Sequence, residues 1–290
     1  MAIGALEAGG TKMSLGVFTS RLRRTAALTI PTATPDETVP RIAAFFREHA
    51  VTSLGIAAFG PVDVRRGTPG YGTILNTPKL AWRRYPLLQA LRDELDIPIA
   101  LDTDVNAAAL AEVTQGAAKG LKNCLYLTVG TGIGGGLVSE GSLVHGLMHP
   151  EWGHLLLPRH PDDPMLNGVC PFHASCAEGF ASGPAMQARW GMAAADLPAD
   201  HRGWDMEAWY LAHLCMNAVM AVSPEVILLG GGVLHAPQLL PLVRSHLERL
   251  MGGYVDPELL PAMDDYVRSP ALYPDSGLVG AALLGRGAKA

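Results

Sequence analysis

Cysteine is scarce, with four in 290 residues. That is too few for a disulfide scaffold, so any cluster of thiols reads first as metal or redox chemistry. Basic blocks are also missing. Lys and Arg number 22 against 27 Asp and Glu, for a formal net charge of −5. The Arg-rich stretch Arg21-Leu22-Arg23-Arg24 is short and reads as a solvated hairpin turn between strands. A nucleic-acid binder carries a basic stripe, which this chain lacks. No run reaches the roughly 18 apolar residues that span a membrane. The opening MAIGALEAGG has no basic n-region followed by a long apolar run, so no secretory signal is read there. The expected setting is reducing cytoplasm, without nucleic-acid or membrane partners. With 49% apolar and 17% charged residues, disorder is excluded. At roughly 100–200 residues per domain, the length implies two domains.

The chain begins as strand, Gly-rich turn, strand: Ile3–Leu6, then 7–12, then Ser14–Phe18. Val39, Ile42, Ala43 and Phe46 have the spacing of an amphipathic helix over 38–48. A buried strand is expected over 53–59, broken by Gly60-Pro61, and residues 65–85 read as a long functional loop. A helix over 87–95 and a strand over 97–101 lead to Asp102-Thr103-Asp104-Val105-Asn106 and an Ala-rich helix. Then strand, Gly turn and strand recur over 123–139, with Gly130–Gly136 as the turn. This recurrence implies two similar α/β lobes, each offering a phosphate-sized loop to a shared cleft. Residues 158–176 form a Pro-, His-, Asp- and Cys-dense insertion. A helix over 207–222, a strand over 225–229 ending in Gly230-Gly231-Gly232, and a closing helix over 278–284 follow.

Successive amides of a Gly-rich turn solvate phosphate without many cations, because Gly permits close approach. Gly9-Gly10-Thr11-Lys12, the run holding Gly130, Thr131, Gly132 and Gly134, and Gly230-Gly231-Gly232 are three candidates. One such turn alone is more often a plain hairpin. The first is not a P-loop, and the second does not open a long helix as a dinucleotide fingerprint does. Together they favour the nucleotide cleft shared by actin-like kinases. Such a kinase needs a carboxylate to take the acceptor's hydroxyl proton. Asp104 stands where open α/β sheets place ligands, but Asp102 and Asp104 also suit helix capping.

His154, Cys170, His173 and Cys176 form H-x15-C-x2-H-x2-C, a tetrahedral Zn²⁺ set with no open position, hence structural. The competing reading is coincidence, since His145, His149 and His160 lie close in sequence. Cys124 and Cys215 sit in apolar segments as core residues. Glu151 and Glu178 flank the zinc residues and are candidates to accept hydrogen bonds from sugar hydroxyls.

These pieces resemble the ROK family of sugar kinases and repressors. The matching motifs are EAGGTK at 7–12, GP at 60–61, DTDVNAAAL at 102–110, GTGIGGG at 130–136, EWGH at 151–154 and LGGG at 229–232. They run in family order over nearly the whole chain. The resemblance implies a two-lobed actin-like ATPase fold with ribonuclease H-like lobes and a zinc-binding insertion. Residues 1–115 would form one lobe, with 278–290 returning to it as the closing helix. Residues 116–277 would form the other, including the zinc segment 154–176. It implies ATP, Mg²⁺ and structural Zn²⁺, and commonly a homodimer. By the same resemblance Asp104 is the base, and Gly60, Asn76, Thr103, Glu151 and Glu178 contact the sugar. The three Gly loops hold ATP, and Glu7 reaches Mg²⁺ directly or through water. Glu7, Thr103, the C-P-F-H-A-S-C zinc run and Y-G-x-I-x-N-T-P-K at 71–79 depart from many members and look like the fructokinase branch. Fructose phosphorylation is therefore expected, with mannose, glucose and N-acetylmannosamine as alternatives. A sugar-responsive repressor needs a DNA-binding helix-turn-helix, and a zinc hydrolase needs an open metal position; neither is expected here.

Overall fold

The computed structural model describes residues 2–289. Two compact units emerge. One is built from the chain up to Gln115, from Leu143–Pro150 and from Pro274 onward; the other holds Gly116–Ser142 and Glu151–Tyr273.

In the first unit, β1 (Ala2–Ala8), β2 (Lys12–Thr19) and β3 (Arg24–Pro31) form an antiparallel meander. The turn before β3 carries the Arg-rich stretch, with Leu22 at φ 59°. Helix α1 (Pro35–Glu48) buries Val39, Ile42, Ala43 and Phe46, the face its apolar spacing predicts. Strand β4 (Ser53–Ala58), helix α2 (Leu87–Glu94), strand β5 (Ile99–Thr103) and helix α3 (Asp104–Gln115) follow. β4 pairs parallel with β1, and β5 with β4, giving the sheet order β3-β2-β1-β4-β5. The core gathers Leu6, Leu15, Phe46, Leu54, Ile56 and Leu91.

The second unit repeats the pattern. β6 (Cys124–Val129) pairs antiparallel with β7 (Ile133–Ser139), beside which lies β8 (Ser142–Leu143). After α4 (Ala177–Ala181), α5 (Gly183–Trp190) and α6 (Gly203–Val222), β9 (Val226–Gly230) pairs parallel with β6. Helices α7 (Leu239–Met251) and α8 (Met263–Tyr266) precede β10 (Val267–Arg268), parallel to β9. The order β8-β7-β6-β9-β10 is that of the first sheet, so each unit is ribonuclease H-like.

The chain then returns to the first unit as α9 (Ser276–Arg286), starting before the expected 278 and ending before 290. It packs on β1, β4 and α3 at backbone distance. A Cβ on Gly55 would stand 1.8 Å from the Ala281 carbonyl oxygen, and one on Gly280 would stand 1.9 Å from that of Ala107. Only hydrogen at those positions allows this approach.

Among the described residues, no helix is long and apolar enough to cross a membrane.

Candidate active site

In the first unit the C-terminal ends of parallel β4 and β5 converge on one corner. Thr103 ends β5, and its Oγ1 accepts the Asn106 N–H at 3.1 Å. That side chain serves the helix start in the way a capping residue does. Asp102 is 1% exposed; its Oδ1 accepts the Thr103 N–H at 2.9 Å and the Asn106 amide at 2.8 Å. Asp104 is left half-buried on the first turn of α3, its Oδ1 receiving the Val105 N–H at 2.8 Å. Burial pushes its carboxyl up to about 6. Glu7, near the end of β1, is pushed up to about 7 by burial and by the Asp104 charge, with Lys12 opposing.

Gly60 and Pro61 follow β4 through a cis peptide, and the next residue, Val62, bridges to Ile74. Asn76, just past that bridge, is exposed. The first Gly turn is shorter than its motif: Glu7 and Ala8 belong to β1, and the Gly9 N–H closes onto the Lys12 carbonyl at 3.0 Å. The Lys79 stem passes so close to Gly10 that a Cβ there would lie 3.0 Å from Lys79 Cε. Lys79 thus joins Thr11 and Lys12 at this turn, a neighbour that sequence spacing did not reveal.

In the second unit the other two glycine loops lie together. Gly130 at the end of β6 and Gly231 after β9 are adjacent: a Cβ on Gly231, at φ 95°, would stand 2.3 Å from the Val129 carbonyl oxygen. The Gly183 N–H, opening α5, donates to the Gly130 carbonyl at 2.8 Å. The turn proper covers only 130–132. Gly134, expected within it, lies in β7 opposite Thr128, and Gly135 leaves room for the Trp152 ring, 2.7 Å from where a Cβ would sit. This glycine run is therefore partly a packing device.

His154, Cys170, His173 and Cys176 bring their ligand atoms within 4.8 Å of one another. Cys170 Sγ is 3.9 Å from the Nδ1 atoms of both histidines. Around a tetrahedral ion with bonds of about 2.0–2.3 Å, neighbouring ligand atoms fall at roughly such separations. His160 lies outside this cluster and accepts the Asp162 N–H at 3.1 Å. Cys176 also caps α4 by accepting the Gly179 N–H at 3.3 Å. Segments 155–157 and 175–177 pair through Leu156 and Cys176. Glu151 begins the short turn that ends in His154, and Glu178 lies in the first turn of α4. Glu178 Oε2 accepts the Ile133 N–H at 2.9 Å, beside Gly132. The two carboxylates thus bracket the cluster, Glu151 just before His154 and Glu178 just after Cys176.

With this geometry established, comparison with known proteins is decisive. Residues 3–288 match the sequence pattern of the ROK family. The chain belongs to the ROK family. It is 39% identical to a fructokinase of Zymomonas mobilis over 286 residues, 96% of this chain and 94% of that one. The ROK hexokinase of Thermus thermophilus superposes with a TM-score of 0.78 at 30% identity, covering 98% of each chain. A ROK glucokinase of Streptomyces griseus, solved with glucose and AMPPNP, gives 0.77 at 25% identity, covering 99% of this chain and all of that one.

The ROK chain's cysteine–histidine set fits zinc in ligand type, number and spacing. A second fastening holds the same insertion. Asp163, 4% exposed, accepts two hydrogen bonds from Arg189 at 2.9 Å, one from Tyr210 at 2.6 Å and one from the Met165 N–H at 2.8 Å. Arg189 and Tyr210 lie 26 and 47 residues away, with no local motif to announce them.

Proposed function

We propose that this ROK protein transfers the γ-phosphoryl group of ATP to a hexose, first of all D-fructose, yielding fructose 6-phosphate. The observation that carries the reading is the state of Asp104. With Thr103 supplying the cap and Asp102 engaged by Thr103 and Asn106, Asp104 is the half-buried carboxylate of this turn. It takes the proton of the acceptor hydroxyl as that oxygen attacks the γ-phosphorus and ADP leaves. The 39% identity with a fructokinase over nearly the full chain supports fructose.

Gly60, Asn76, Glu151 and Glu178 are assigned to the sugar, and Thr103 to shaping its edge. Gly9, Gly10, Thr11 and Lys12, Gly130, Thr131, Gly132 and Gly134, and Gly230, Gly231 and Gly232 are assigned to ATP. Mg²⁺ would offset phosphate charge when bound, and the Glu7 carboxylate is the group assigned to it, directly or through water. Zinc at His154, Cys170, His173 and Cys176 is structural. The four cysteines form no disulfide, which suits reducing cytoplasm, and a homodimer is the expected assembly.

The test is ADP release from Mg-ATP with fructose, mannose, glucose and N-acetylmannosamine, using wild type and Asp104→Asn. Fructose-dependent release should fall by about 10²–10⁴-fold in the variant, with nucleotide binding retained. Because the base must be ionised, kcat/KM for wild type should rise with pH through about 6. Full turnover by Asp104→Asn would reject it as the base, and preference for another sugar would replace fructose.

A further inference from the structure

Two histidines four residues apart hold the elements that carry the proposed base and the proposed sugar contacts. The segment Leu143–Pro150 belongs to the first unit, although the chain on either side of it belongs to the second. From it, His145 Nε2 donates to Asp102 Oδ2 at 2.9 Å, and the Asn106 amide lies 3.4 Å from the same nitrogen. His149 is buried, and its Nε2 accepts the Val62 N–H at 3.3 Å, directly after Gly60-Pro61. One segment therefore fastens the end of β5 and the end of β4, then runs through Pro150 into Glu151.

The His145 contact reaches furthest. Asp102 is an almost inaccessible carboxylate, and such a group persists only if its oxygens are supplied with donors. Oδ1 is supplied by the turn itself, through Thr103 and Asn106. Oδ2 is supplied by His145, from a separate segment. Thr103 closes the circuit by accepting the Asn106 N–H. Asp104 lies between Thr103 and Asn106, so its backbone has little freedom while these bonds stand.

We propose that His145 is a positioning residue for phosphoryl transfer, acting through Asp102 to hold the first turn of α3 so that Asp104 keeps one orientation toward the acceptor hydroxyl. The inference rests on the kinase reading above. The charged and titratable groups facing His145 are Asp102, Arg66 and His149; Asp102 holds the imidazole above its usual range, while Arg66 opposes. A base displaced by about 1 Å costs on the order of 10²-fold in rate, so even slight loosening of this turn would register in kcat.

The experiment is steady-state kinetics on His145→Ala and His145→Gln, with thermal melts, and an NMR titration of the His145 imidazole in wild type. His145→Ala should lose about 10–100-fold in kcat, with KM for ATP within about twofold, and should melt below wild type while staying folded at the assay temperature, since Asp102 Oδ2 loses its donor. His145→Gln, whose amide can donate to Asp102, should recover most of that loss. A kcat within twofold of wild type for His145→Ala would overturn the proposal. So would a rise in sugar KM at constant kcat, which would make His145 a direct sugar contact. The titration is independent of activity: an imidazole that titrates at its ordinary value in wild type would overturn the clamp. If the wild type turned over no sugar while the imidazole titrated high, the kinase reading would fail and the clamp would stand.

Discussion

Burial raises the carboxyls of both Glu7 and Asp104, and the Asp104 charge raises Glu7 further. A carboxyl whose folded value lies above its unfolded one stabilises the fold fully below the unfolded value. That stabilisation is lost as pH climbs to the folded value. For Glu7 the window runs from 4.5 to about 7. Glu7→Gln should therefore flatten the stability curve across that range. It should be more stable than wild type at pH 8 by on the order of 2–3 kcal/mol. Urea unfolding at pH 5 and pH 8 reads this directly; an unchanged pH slope would mean Glu7 is not the titrating group. The motifs made Asp104 legible as a candidate but left Asp102 and Asp104 equal as caps. The cap is Thr103, a residue read as a sugar contact, because its Oγ1 at the strand end faces the Asn106 N–H. Which of three adjacent oxygens meets that N–H depends on backbone geometry that residue type alone does not specify.

Secondary elements with strong periodicity were legible: α1 buries the apolar face expected of it, and both strand–turn–strand units lie where the glycines announced them. The glycine run at 134–136 was misleading because two different pressures select glycine. One is turn conformation; the other is the Trp152 ring lying against β7. Helices α5 and α7 carried no motif that drew attention, and Asp163 met partners too distant in sequence to be read from spacing. Glycine also governs the seam of α9. Gly280→Ala would drive a methyl into the Ala107 carbonyl, so a loss of about 2–3 kcal/mol is expected. Ala282→Gly, two residues along the same helix, should lose only about 1 kcal/mol from propensity and packing. Equilibrium denaturation of the pair distinguishes contact at the seam from general helix weakening; equal losses would dismiss the seam.

At the scale of the whole molecule, the insertion between β8 and α4 exposes Leu156, Leu166, Val169 and Phe172 and so has little core of its own. The Asp163–Arg189–Tyr210 network fastens it, and the proposed zinc at the Cys/His cluster would be its second tie. Cys170→Ser should lose about one zinc per chain by atomic absorption. It should also lower the melting temperature by on the order of 10 °C. Hydrogen exchange should quicken over 154–181 while β1, β4 and β5 keep their protection. Full zinc content or unaltered exchange would remove the metal from the account. The α9 seam has a different consequence, in time rather than in space. Ribosomes deliver the first sheet well before α9, the helix that covers β1 and β4. Until then a nascent chain carries an uncovered apolar surface through the synthesis of some 160 further residues (116–275). Domains otherwise tend to fold in order of emergence. Here the first unit waits for α9, so a message truncated before residue 276 yields a chain with the β1–β4 surface still open to chaperones and proteases.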